Sequence, residues 1–71
     1  MQLETIVRRT GMVLTEQTAP EHVRACVIGA GAPRIVFDGQ IWEEPASRPV
    51  ATQIENAIYI ARHLGLPIKE S

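Results

Sequence analysis

The dipeptide Asp38-Gly39, set between two β-rich runs, constrains this chain more than any other feature. Arg34-Ile35-Val36-Phe37 precedes it and Gln40-Ile41-Trp42-Glu43 follows. A type I′ turn needs positive φ at both central residues, which Asp-Gly supplies readily. A two-residue loop also fixes the register. It pairs Phe37 with Gln40, Val36 with Ile41, Ile35 with Trp42 and Arg34 with Glu43. Ile35, Phe37 and Trp42 then share one face, the expected core face. Arg34 and Glu43 meet on the other, where opposite charges across strands help modestly.

A lone hairpin is marginal in water, so its apolar face needs a cover. Residues 50–64 predict one. Val50, Ile54, Ala57, Ile58, Ala61 and Leu64 recur at helical spacing. Thr52-Gln53-Ile54-Glu55 is a capping-box pattern, which starts the helix at Thr52 or one turn earlier. Gly65 suits a left-handed terminal residue, Leu66 can pack back, and Pro67 prevents continuation. Pro45 and Pro49 bracket the preceding connector. Residues 68–71 are expected to be a frayed tail.

Residues 18–29 predict a second helix. Thr18-Ala19-Pro20-Glu21 forms another capping box with Pro in the first turn. Val23, Cys26, Val27 and Ala30 make an apolar stripe that Gly29 and Gly31 end. The competing reading is a strand, because Val23 to Ile28 is rich in β-formers. Residues 3–16 stay open. Leu3, Ile6, Val7 and Thr10 fit a helix stopped at Gly11, with Met12-Val13-Leu14 as a short strand. A helix through Gly11, or a hairpin over the whole stretch, fits as well.

The expected fold is therefore one small α+β domain over residues 1–71. Two helices pack on a β-hairpin, residues 12–14 are available as a third strand, and the N-terminal element is undecided. The order helix, Asp-Gly hairpin, helix resembles that of small phage head–tail joining proteins. That resemblance is of element order, which does not transmit function.

Composition narrows the function. The chain has 71 residues and 45% hydrophobic content, but only one each of Phe37, Trp42 and Tyr59. A core of small parts in so short a chain leaves a thin stability margin, which oligomerisation commonly relieves. A homodimer is the expected state. The net charge of −1 gives no electrostatic footprint for nucleic acid. One cysteine, Cys26, cannot form an internal disulfide. Met1-Gln2-Leu3-Glu4 lacks a basic region leading into an apolar run, so a cytoplasmic chain is expected.

The candidate chemistry is thin. Val27-Ile28-Gly29-Ala30-Gly31 opens like a dinucleotide-binding fingerprint. Arg34 stands where the third glycine belongs, and a hairpin follows where the helix should start. A helix stop leading into a strand is the better reading, and no cofactor is expected. His22 and Cys26, four apart, share a helix face, but a metal would need His63 or a distant carboxylate as well. Cys26 with His63 is a formal nucleophile pair that nothing in the sequence brings together. Glu43 and Glu44 are strand neighbours and point to opposite faces, so they form no dyad. No catalytic or metal residue is assigned.

Two binding readings remain. Apolar residues off the core stripes (Ile28 on the second helix segment, Tyr59 and Ile60 on the last) suggest a second contact surface. They favour a non-enzymatic accessory or regulatory protein that acts through protein contacts and self-associates. The alternative is a small nucleic-acid-binding regulator using Arg8, Arg9 and Arg34, with the hairpin as a wing.

Overall fold

The computed structural model describes residues 3–29 and 31–70. Among them it has two helices and five strands. They run α1 (Leu3–Arg9), β1 (Val13–Thr18), β2 (Ala25–Gly29), β3 (Gly31–Phe37), β4 (Gln40–Glu43), α2 (Val50–Leu64) and β5 (Ile68–Glu70). The strands form one mixed sheet in the order β1-β4-β3-β2-β5. Only β5 runs parallel to its neighbour, β2. The expectation of a hairpin with at most a third strand is thus overturned, and the resemblance in element order goes with it.

The Asp38-Gly39 turn forms as the dipeptide requires, with φ of 49° and 79°. The four cross-strand pairs of β3 and β4 follow the predicted register. Ile35, Phe37 and Trp42 are buried together with Val7, Met12, Cys26, Ala57, Ile60, Ala61 and Leu66. That single cluster joins both helices to one face of the sheet. Its largest members, Phe37 and Trp42, stack with ring centroids 6.5 Å apart.

Three segments depart from the sequence reading. Residues 18–29 do not form a helix: Thr18 ends β1, a turn follows, and Ala25–Gly29 is β2. The Val23 N–H donates to the Pro20 carbonyl at 3.0 Å, so Pro20 opens a turn. The β-branched run that follows then pairs with β3. β3 would otherwise be an uncovered edge, and that tertiary demand outweighs the capping pattern. Gly29 and Gly31 are opposed across a tight β2–β3 turn in which Gly31 has φ of 100°. Ala30, one of the stripe residues, lies outside the described residues. The glycines therefore reverse the chain between two strands and do not end a helix. Residues 68–70 are not frayed. They add β5 alongside β2, where the Cys26 N–H donates to the Pro67 carbonyl at 2.8 Å.

The helix α2 closes as predicted. Gly65 is left-handed at φ 71°, the Leu66 N–H reaches the Ala61 carbonyl at 2.8 Å, and Leu66 is buried. Its buried face, however, is turned from the predicted stripe, to Gln53, Ala57, Ile60 and Ala61. Val50 overhangs the first turn and is 69% exposed. Gln53 turns inward because its side-chain amide has work there. Nε2 donates to the carbonyls of Arg48 (2.8 Å) and Pro45 (3.3 Å) and holds the connector against the helix. No side chain caps the helix start at Pro49.

Candidate functional site

An extended polar cluster lies where the β4–α2 connector meets the end of α1. The Glu44 side chain is fully buried. Arg48 Nη1 donates to its Oε2 at 2.7 Å, and Asn56 Nδ2 donates to Oε1. Arg48 Nη2 also donates to the Thr10 carbonyl at 2.6 Å, at the end of α1. Both Glu44 carboxylate oxygens and both terminal nitrogens of Arg48 have a partner inside the chain. A buried carboxylate satisfied in this way pins a loop.

Trp42, two residues before Glu44 in the chain, is fully buried. The Arg8 guanidinium sits 5.0 Å from its ring centroid, within the range for a cation–π contact. Its Nε1 is the only buried side-chain polar atom without a hydrogen-bond partner among the described residues.

The metal and nucleophile candidates are dispersed. Cys26 is buried in β2, with Sγ 3.7 Å from the Ala57 carbonyl. His22 is exposed in the turn before β2. His63 is on the outer side of α2, stacked on Tyr59. No group of three His, Cys, Asp or Glu residues among those described is placed to hold a metal ion. No described helix is long and apolar enough to cross a membrane.

The arginines do not converge. Arg8 pairs with Glu4 at 2.9 Å and Arg24 with Asp38 at 3.5 Å. Arg8 and Arg9 end α1, on the helix-bearing side of the sheet. Arg34 points to the opposite side, because its neighbour Ile35 faces the core.

Of the surface anchors suggested by sequence, only Tyr59 lies on the surface, at 66% exposed. Ile60 is fully buried and belongs to the core. The turned face of α2 draws it in, one position round from Tyr59. Ile28 is half-buried and packs against the core cluster, because β2 points it to the same side as Cys26.

The sheet face without helices was missed. Antiparallel sheets with one solvated face usually carry polar residues there. Here that face holds Ala25, Val36 and Ile41, all buried outside the main cluster, at the end where the chain crosses from β1 to β2. Beyond them one row crosses all five strands: Val13, Glu43, Arg34, Val27 and Lys69. Val13 is 57% exposed. The signal in the sequence was the apolar runs of β2 and β3, which fail to alternate.

No family model matches the chain, and neither a curated protein nor a solved structure matches it.

Proposed function

We propose that this chain works as a small accessory or regulatory module that acts through protein contacts, self-associates and performs no catalysis of its own. The observation carrying this reading is the set of exposed apolar side chains on the described surface: Val13 and Leu14 on β1, Val50 and Tyr59 on α2, and Ile68 on β5. An exposed apolar surface in so small a domain favours burial against another protein. Tyr59, a large amphipathic ring on the far side of α2, suits a second contact. The free thiol of Cys26 suits a reducing, cytoplasmic setting, which cell fractionation would check.

The test is sedimentation equilibrium from micromolar to millimolar chain. A mass rising from 7.8 kDa toward twice that value supports the reading. A mass fixed at that of one chain throughout removes self-association from it.

A further inference from the structure

We infer that two copies of the chain pair antiparallel through the outer side of α2, about a twofold axis that crosses the helix between Ile58 and Tyr59. This rests on the self-association reading and names its surface. A helix turns by about 100° per residue, so residues seven apart return to within about 20° of one line, about 10 Å apart along the axis. Glu55 and Arg62 are such a pair. Both are exposed, on the side of α2 away from the buried Gln53, Ala57, Ile60 and Ala61. Ile58 and Tyr59 stand at their midpoint and flank the line between them, one on each side. The axis lays the helix over its own reverse. Glu55 then faces Arg62 of the second copy, and Arg62 faces the second Glu55. Between these charged contacts Tyr59 meets its own copy, and so does Ile58.

Three features of the chain favour a second copy as the occupant. The stripe runs acidic, apolar, basic, so it is complementary to itself once reversed. Neither Glu55 nor Arg62 has an ion pair or side-chain hydrogen bond among the described residues, so both charges are available across the face. Tyr59 already stacks on His63 with ring centroids 6.2 Å apart, which orders the ring before docking and reduces the entropy lost there. The face is open, with Ala51, Thr52, Glu55, Tyr59 and Arg62 all exposed. Each sheet lies behind its own α2, so the two bodies point away from the interface. The α1 helix shares the layer, and its exposed Thr5 and Arg8 suit a polar rim. Packed helix axes lie about 8–10 Å apart, within reach of a Glu and an Arg extended toward each other. At the shallow crossing common for antiparallel helices, pairs this near the axis stay opposed. With 15 residues, α2 is only about 22 Å long. Its footprint falls below the ~1,200 Å² at which stable interfaces begin, so a weak, reversible dimer is expected.

The test uses charge reversal, read by sedimentation equilibrium with circular dichroism to confirm folding. Glu55→Arg and Arg62→Glu should each weaken the dimer about tenfold or more, because each alone sets like charges at both contacts. Mixing the two variants in equal amounts should restore the dimer, since only the mixed pair has opposite charges at both. Tyr59→Ala should weaken it about fivefold or more by emptying the centre. Restoration in the mixture supports the assignment. Single charge variants that associate like the parent, or a mixture that stays monomeric, overturn it. Dissociation by Leu14→Asp on the exposed β1 strand, with all three α2 variants associating like the parent, overturns the α2 assignment and leaves self-association standing. A parent chain that is monomeric at millimolar concentration defeats both.

Discussion

The Arg48 guanidinium grips the Glu44 carboxylate at 2.7 Å, with the acid fully buried and the base 31% exposed. Removing the base leaves a buried charge held by Asn56 alone. Breaking a fully buried pair costs about 3–5 kcal/mol. Water reaching Arg48 screens part of that, so Arg48→Ala should cost about 2–3 kcal/mol. The double variant Glu44→Leu/Arg48→Met removes both charges and should cost less than Arg48→Ala alone. Urea unfolding of the two variants decides it. A double variant less stable than the single would show that the pair contributes more than avoidance of an orphaned charge.

Tyr59 and Ile60 are adjacent in sequence and opposite in role. Ile60→Ala empties a fully buried site and should cost about 2–4 kcal/mol. Tyr59→Ala gives up a stacked contact with His63 on an exposed face and should change stability by about 0.5 kcal/mol or less. Thermal melts of both test the contrast. Equal losses would mean that the outer side of α2 is itself packed.

That contrast shows where the sequence was legible. The Asp38-Gly39 hairpin, its register and the Gly65-Leu66-Pro67 stop were readable because each rests on local chemistry at fixed spacing. The rotation of α2 was not, because it depends on Gln53 reaching carbonyls eight and five residues back. β2 and β5 were hidden for a related reason. Their pairing is satisfied by distant strands, and a tertiary partner outweighs both a capping box and a short terminal segment. The helix-free row follows from the strand order, so no motif announces it.

Gly11 couples to the Arg48 cluster. It has φ of 87°, and a Cβ there would overlap Arg48 Nη2. Gly11→Ala therefore meets two penalties. The backbone strain costs about 1–2 kcal/mol. The displaced guanidinium also loses its 2.6 Å bond to the Thr10 carbonyl, worth about 1–2 kcal/mol more. In an Arg48→Ala background only the strain remains. A double-mutant cycle by urea unfolding should give a coupling of about 1 kcal/mol or more. Strict additivity would show that the guanidinium moves aside without loss.

Cys26 should make the fold sensitive to alkali. Burial pushes its thiol up from the ordinary value of 9.0, because the interior disfavours the thiolate. Near Ala57 the S–H also has a carbonyl at 3.7 Å to donate to, which only the protonated form can use. The native chain thus keeps this proton after the unfolded chain has lost it. A raised folded pKa gives stability that is full below the unfolded value and lost as pH rises toward the folded one. The slope approaches about 1.4 kcal/mol per pH unit between the two. Cys26→Ala removes this dependence while leaving every other titrating group in place. Its stability at neutral pH should be lower, from the lost packing of a buried side chain, but its decline above pH 9 should be shallower than the parent's. Chemical unfolding at intervals from neutral to alkaline pH measures both curves. Parallel declines would mean that the thiol ionises alike in the folded and unfolded chains, and that β2 opens to water at Cys26.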